Sequence, residues 1–139
     1  MQTTFLIETR GQRLYEFTPD VARWLAEQGD GLLTLMLRHT SASLLIQENA
    51  DPDVQTDLLA FYRRLVPPAD DPAMAYLRHR SEGPDDMPAH IRAAMLPLTL
   101  GIPVQAGRMR LGTWQGIYLF EHRDAPHRRE VAAHFRADG

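Results

Sequence analysis

Three histidines are the residues of this sequence best suited to chemistry. His39 opens the segment HTSAS at 39–43, where it is followed by hydroxyl side chains, and His79 and His90 lie further along the chain. An imidazole can bind a metal ion or transfer a proton near neutral pH. It can also form structural hydrogen bonds to the backbone at the end of a strand. For His39, spacing alone leaves both interpretations open.

His90 has an aspartate one helical turn before it. The segment DDMPAH at 85–90 places Asp86 and His90 on the same face of a short helix. A carboxylate beside an imidazole can orient a metal-bound histidine or raise its basicity for proton transfer. Alternatively, Asp86 only caps the helix. The sequence has no HxH or HExxH motif, so a metal site formed by His39, His79 and His90 would combine distant segments.

Further polar side chains follow predicted strands or interrupt them. Asn49 comes after a short apolar run, and Glu121 comes at the end of another, where it could act as an acid–base group or a magnesium ligand. The segment 107–116 has three glycines, and Trp114 and Gln115 could offer a flat surface and an amide to a ligand. Its spacing matches neither a Walker loop nor a dinucleotide-binding fingerprint. The alternative is a hairpin with a packing tryptophan.

Composition excludes several classes of site and partner. The 139 residues include 44% hydrophobic and 24% charged residues, typical of one globular domain over 1–139. The net charge of -3 favours neither nucleic acid nor an anionic membrane as partner. The absence of cysteine and lysine excludes disulfides, thiolate metal sites and a lysine Schiff base. Without a long apolar run or a signal-peptide pattern, we expect a cytoplasmic protein.

Hydrophobic periodicity predicts an α+β fold. Strands are predicted at 3–8, 13–17, 32–38, 44–46, 99–105, 108–111, 114–121 and 129–136. One helix is predicted to begin at Thr18 as its cap and to end at Gly29, and a second to begin at the cap Asp51. The second helix has four apolar residues at helical spacing: Val54, Leu58, Phe61 and Leu65.

Two further predictions concern the loops and the C-terminal region. The segment 67–87 is predicted to be a long ordered loop, and long loops in compact domains are often functional. A short helix is predicted at about 88–96. Three C-terminal histidines are predicted to lie at the surface: His122, His127 and His134.

Taken together, these segments resemble the YjbQ family. The resemblance rests on HTSAS at 39–43, Glu48-Asn49 with Asp53 and Asp57 after it, His79, DDMPAH at 85–90, and GRMRLGTWQGI at 107–117 followed by Glu121. It covers nearly the whole chain. It implies a compact, sheet-rich α+β sandwich with two main helices and a short third one. It also implies a homotrimer whose histidines and acids form a pocket near the subunit interface.

The resemblance also implies an activity, since the family is often named for a weak thiamine-phosphate synthase reaction. That reaction joins hydroxymethylpyrimidine diphosphate to thiazole phosphate and releases pyrophosphate. The expected function is therefore a metal-assisted enzyme that acts on a small phosphorylated metabolite. The alternative is a non-catalytic trimer that binds a phosphorylated metabolite or a metal ion.

The same resemblance assigns roles to individual residues. The expected metal ligands are His39, His79 and His90, and the expected catalytic residues are Asp86, His90 and Glu121. The expected substrate-binding residues are Ser41, Asn49, Trp114, Gln115 and Arg129. Where the family often has Gly-Pro-Arg, this chain has Ala125-Pro126-His127, which leaves Arg129 as the candidate anion-binding arginine. The metal is expected to be zinc or magnesium, and the histidines favour zinc because magnesium prefers oxygen ligands.

Overall fold

The computed structural model describes residues 1–139 and contains eight strands and three α-helices. The strands are β1 (Gln2–Arg10), β2 (Leu14–Glu16), β3 (Gly31–Leu37), β4 (Ala42–Glu48), β5 (Thr99–Gln105), β6 (Arg108–Met109), β7 (Gln115–Glu121) and β8 (Pro126–Ala137). The helices are α1 (Thr18–Leu25), α2 (Pro52–Leu65) and α3 (Asp86–Met95). The predicted α+β class is confirmed. The segment between α2 and α3 has only one short 3-10 helix, Pro72–Met74.

The strands form two antiparallel sheets with a shared core. The larger sheet has the order β1-β8-β3-β5-β6 and the smaller has the order β2-β7-β4. Fifteen buried residues from both sheets and from α1 form one cluster between them. In β7, Ile117 and Leu119 belong to this cluster, whereas Tyr118 and Phe120 belong to a second cluster with Tyr62 of α2. The apolar run of β7 is therefore buried on both faces.

The two predicted helix caps differ in outcome. The Asp51 side chain accepts a hydrogen bond from the Asp53 amide, which confirms the cap of α2. The predicted cap Thr18 is wrong, because Phe17 is the N-cap residue and α1 ends at Leu25. The Thr18 hydroxyl instead accepts a hydrogen bond from the Ile117 amide, so it joins α1 to β7.

The apolar face predicted for α2 is only partly correct. Phe61 is 56% exposed and Leu65 is 49% exposed, whereas Leu59 and Tyr62 pack against the smaller sheet. The helix has apolar residues on two adjacent stripes, both at helical spacing. The pattern predicts a helix but does not determine which stripe faces the sheet.

β3 is a central strand, as predicted, but it is buried on one face only. Leu33, Leu35 and Leu37 point into the core, while Leu32 and Met36 are about half exposed. Leu6 of β1 is also 55% exposed. The outer face of the larger sheet thus has several large apolar side chains in contact with solvent. None of the helices is both long enough and apolar enough to cross a membrane.

Candidate metal centre

The beginning of α3 and the preceding loop bring His79, Asp86 and His90 together. One ligand atom from each of these residues lies within 4.8 Å of the other two. His79 Nε2 is 2.7 Å from Asp86 Oδ2, and His90 Nε2 is 3.4 Å from the same oxygen. The Asp86 side chain is 2% exposed, whereas those of His79 and His90 are 46% and 31% exposed. The cluster is therefore anchored from inside and open to solvent on its histidine side.

The orientation of the His90 ring directs its Nε2 toward the carboxylate of Asp86. His90 Nδ1 donates a hydrogen bond to the Thr40 carbonyl at 2.9 Å. The Nε2 lone pair of a neutral His90 then faces the Asp86 carboxylate oxygen. Two acceptors repel each other unless a proton or a metal ion lies between them. A carbonyl that holds Nδ1 is also the usual support of a histidine that binds zinc through Nε2.

The donor set fits zinc better than magnesium. Zinc–nitrogen bonds of about 2.0–2.1 Å in a tetrahedral site place ligand atoms about 3.3 Å apart. The two distances to Asp86 Oδ2, 2.7 and 3.4 Å, lie on either side of that value. Two imidazoles and one carboxylate leave a fourth position for water or substrate. Magnesium prefers an octahedron of oxygen ligands, which these residues do not provide.

Asp86 does not cap α3, contrary to one interpretation of the sequence. Asp85 is the N-cap residue, and Asp86 is the first residue of the helix. Asp86 Oδ1 accepts a hydrogen bond from Arg123 Nη1 at 2.8 Å, so Oδ2 remains available to the histidines. Burial would raise the pKa of Asp86. The hydrogen bond from His79 and the charge of Arg123 outweigh this effect and lower the pKa below its ordinary value.

This fold and this chain have known relatives. The profile of the family described as "UPF0047 protein YjbQ-like" matches residues 3–138. The chain belongs to the UPF0047 (YjbQ-like) family. It is 50% identical over 135 residues to UPF0047 protein sll1880 of Synechocystis sp., a match that covers 96% of this chain and 89% of that protein. It is 42% identical over 125 residues to UPF0047 protein YjbQ of Escherichia coli O157:H7, covering 88% and 87% of the two chains.

Crystal structures of family members have the same fold. An uncharacterized conserved protein of the family from Clostridium acetobutylicum is 31% identical, with a TM-score of 0.83 over 96% of this chain and 99% of that one. The hypothetical protein APE1520 from Aeropyrum pernix K1 is 28% identical, with a TM-score of 0.85 over 99% of both chains. These likenesses support the fold, and the descriptions of these relatives name no substrate.

In this UPF0047 chain, His39 lies outside the cluster of His79, Asp86 and His90. Its Nε2 accepts a hydrogen bond from the Glu130 amide at 2.8 Å. The carbonyl of the next residue, Thr40, accepts a hydrogen bond from His90. His39 is therefore adjacent to a residue that contacts the cluster, but it contributes no ligand atom to the cluster. The structure thus brings two of the three predicted metal ligands together and adds Asp86 to them.

Glu121, Arg129 and Ser41 form a buried network beside the candidate centre. Glu121 is 0% exposed and accepts hydrogen bonds from Thr9, from two nitrogens of Arg129, and from the amides of His122 and Arg123. Arg129 also donates to Ser41 Oγ at 3.0 Å. Protein donors therefore occupy the Glu121 oxygens, and the network holds the backbone of Arg123, whose side chain supports Asp86.

The remaining predicted substrate residues lie at the other end of the smaller sheet. The Asn49 amide donates to the Trp114 carbonyl, and Gln115 Oε1 accepts from the Gly112 amide, so these residues stabilise one loop. Trp114 is 62% exposed. Along β7, six residue steps of about 3.3 Å separate Gln115 from Glu121, a distance of about 20 Å. Within one chain the structure does not bring this loop to the histidine cluster.

Arg123 is one of the residues that the sequence did not predict for the site. Its guanidinium donates to Asp85 Oδ2 at 2.9 Å, to Asp86 Oδ1 and to the Glu82 carbonyl. It lies just after β7, and no spacing in the sequence relates that position to α3. Only the packing of the β7 end against the beginning of α3 identifies it.

Arg80 was also missed, and it organises the loop that positions His79. Its guanidinium donates to the carbonyls of Ala69, Met74, Ala75 and Leu77.

A lysine ammonium cannot replace the planar guanidinium of Arg80. We expect Arg80→Lys to weaken zinc binding by about 10-fold, as loss of a supporting residue commonly does. Competition with a chromophoric chelator measures the effect. The exposed Arg78→Lys is the matched control, and equal affinities for the two variants would contradict the role of Arg80.

His122 is not a surface residue, so that prediction is wrong. Its side chain is 0% exposed, its Nε2 lies 2.9 Å from Ser43 Oγ, and its ring packs against that of Phe120 at an angle of 57°. Burial and the charge of Arg92 lower the pKa of His122 to about 3. His122 is buried because the chain does not turn toward solvent at the end of β7. Both Glu121, the last residue of the strand, and His122 after it lie inside the protein.

This lowered pKa makes the stability of the folded chain depend on pH. Below an ordinary histidine pKa of 6.5, the unfolded chain binds a proton that folded His122 does not bind, so stability falls as pH decreases. Between pH 7 and pH 5 we expect this residue to contribute a loss of about 2 kcal/mol. The His122→Gln variant should lack that part of the loss in urea titrations at the two pH values. Identical pH dependence of the variant and the parent chain would contradict this account.

Proposed function

We propose that this protein is a metal-assisted enzyme that binds zinc through His79, Asp86 and His90 and acts on a small phosphorylated metabolite. The observation that supports it most directly is the pair of acceptors, His90 Nε2 and Asp86 Oδ2, which face each other at 3.4 Å. A cation between them removes the repulsion. The open histidine side of the cluster supports access of a substrate to the fourth coordination position.

The residues around the centre have separable tasks. When bound, zinc supplies positive charge that stabilises a phosphate or diphosphate group as negative charge develops on it. Arg123 holds Asp86 ionised and leaves one carboxylate oxygen for the centre. The Thr40 carbonyl fixes the His90 ring so that Nε2 points toward that oxygen. To hold zinc through Nε2, His79 would have to lose the proton that Nε2 now directs to Asp86.

The reaction implied by the YjbQ resemblance is the first to test. Joining hydroxymethylpyrimidine diphosphate to thiazole phosphate expels pyrophosphate, a leaving group whose charge a divalent ion neutralises. The zinc-loaded protein would be incubated with both precursors, alongside His90→Ala and Asp86→Asn. We expect product only with the parent chain. Equal product formation by all three proteins would contradict the catalytic assignment.

A non-catalytic binding protein is the competing function from another class. Stoichiometric zinc in the untreated protein, with phosphate binding but no turnover of either precursor, would favour it. Elemental analysis of the purified protein distinguishes a resident metal from one added later. Absence of zinc together with no uptake on addition would exclude both the enzyme and the metal-binding alternative at this cluster.

We also propose that the chain assembles as a homotrimer, as the resemblance implies. The exposed Leu6 and Leu32 on the outer face of the larger sheet support self-association, since a second copy would cover them. Assembly would also offer a way for the Trp114 loop of one copy to approach the centre of another. Light scattering should give three times the mass of one chain, and a monomer would contradict the proposal.

A further inference from the structure

The backbone of β8 fixes the His39 ring in one tautomer. A ring nitrogen that accepts a hydrogen bond from an amide has no proton, so the bond from Glu130 N to Nε2 places the proton of the neutral ring on Nδ1. Nδ1 has no hydrogen-bond partner in the chain. It is not buried, so solvent reaches it. His39 therefore offers an N–H donor outward and has no free lone pair for a metal ion.

The surrounding charges keep this tautomer neutral. Burial and the positive charge of Arg129 lower the pKa of His39, and Arg38 acts in the same direction. Glu130 and Glu121 oppose this effect but do not outweigh it. The Nδ1–H donor is therefore present at neutral pH without a charge on the ring.

An apolar groove leads from His39 to the candidate metal centre. A cavity of about 380 Å³ is lined by Arg38, His39, Thr40 and Leu98, among others. A second cavity of about 180 Å³ is lined by His90 and again by Thr40 and Leu98. Because two residues line both cavities, the cavities are neighbours, and Leu98 lies between the two histidines.

We propose that His39 is a substrate-binding residue that donates Nδ1–H to an oxygen atom of the substrate, and that the substrate has an apolar ring between this oxygen and its phosphoryl group. The phosphoryl end rests on the function proposed above for the metal centre. The ring would lie on Leu98. Arg38 beside His39 pairs with Glu130 at 3.5 Å and adds no net charge there, but a carboxylate or phosphate oxygen accepts a stronger hydrogen bond from Nδ1–H than a neutral carbonyl does. The substrate class is thus an aromatic compound with an oxyanion at each end.

Nitrogen-15 spectra of histidine-labelled protein test the tautomer. We expect His39, assigned from the His39→Gln spectrum, to have a protonated Nδ1 and an unprotonated Nε2 both before and after zinc is added. The His79 and His90 signals should shift with zinc. A protonated Nε2, or a His39 signal that shifts as a metal ligand does, would overturn the proposal. The metal-free measurement keeps this test independent of the proposed function.

Phosphonates test the groove in the zinc-loaded protein by calorimetry. Phenylphosphonate should bind about 10-fold more tightly than methylphosphonate, because its ring covers Leu98. A carboxylate at the 3- or 4-position should add about another 10-fold through His39. Leu98→Asn should remove the gain from the ring, and His39→Ala only the gain from the carboxylate. His39→Gln, whose amide can donate, should restore part of it.

Several results would overturn the inference while leaving the metal centre intact. One is the absence of any gain from the ring, which is also expected if a second copy of the chain fills the groove. Another is that a carboxylate at neither the 3- nor the 4-position raises the affinity of phenylphosphonate. The same holds if the carboxylate raises the affinity and this gain persists in His39→Ala. Failure of the protein to bind zinc would instead overturn the proposed function, and the tautomer measurement would still decide the role of His39.

Discussion

Replacing Asp86 with asparagine is expected to lower the affinity for zinc by at least about 100-fold. The variant keeps the shape of the side chain, and its carbonyl oxygen can still accept from Arg123. What it loses is the negative charge between two imidazoles, which is the only anionic ligand of the proposed centre. Loss of a supporting residue alone costs about 10–100-fold in affinity, and Asp86 is a proposed ligand. Competition with a chromophoric chelator at pH 7 measures the change.

Asp85→Asn is the matched control for this prediction. It makes the same change of charge at the adjacent residue, whose carboxylate binds Arg123 and the Asp124 amide but neither histidine. We expect its zinc affinity to fall by less than about 10-fold. Equal losses for the two variants would show that general negative charge, not ligation by Asp86, attracts the metal.

Replacing Glu121 with glutamine is expected to destabilise the folded chain by about 3–5 kcal/mol. Glu121 and Arg129 form an ion pair that is almost completely buried, at 0% and 4% side-chain exposure. Removing one partner leaves the other charge buried without compensation, which costs far more than the pair itself contributes. Burial raises the pKa of Glu121, but the hydrogen bonds from Arg129 and Thr9 and the charge of Arg129 outweigh it and lower the pKa, so the pair is ionised at pH 7. Its stabilisation is lost only when the pH falls through that lowered pKa.

Two further variants test the cause of this effect in urea unfolding at pH 7. Glu8 and Arg128 form a pair joining β1 and β8 at the surface, with 67% and 66% side-chain exposure. Glu8→Gln should therefore cost no more than about 1 kcal/mol. In the Glu121→Gln background, Arg129→Met should recover part of the lost stability because no unpaired charge remains. A loss for Glu121→Gln as small as that for Glu8→Gln would contradict the account.

Two residue pairs, Asp86 with His90 and His39 with His90, show how far the sequence predicts the candidate site. Asp86 and His90 lie four residues apart, and the geometry of a helix places them together whatever surrounds it. His39 and His90 are 51 positions apart, and their relation depends on where β3 ends relative to α3. The expected three-histidine site assumed convergence of all three rings. The Glu130 amide instead occupies the ligand nitrogen of His39.

By itself, the sequence determined the features that local geometry controls: the α+β class, most strands and helices, the Asp51 cap and the Asp86–His90 pair. The tertiary structure decided which stripe of α2 is buried, that His122 and Glu121 are enclosed, and that Arg123 supports Asp86. It also decided which nitrogen of each histidine is free. The reason is that hydrogen-bond partners from other segments depend on strand order and register. These partners determine where each proton lies, and hence which residues can bind a metal ion and which can only donate to a substrate.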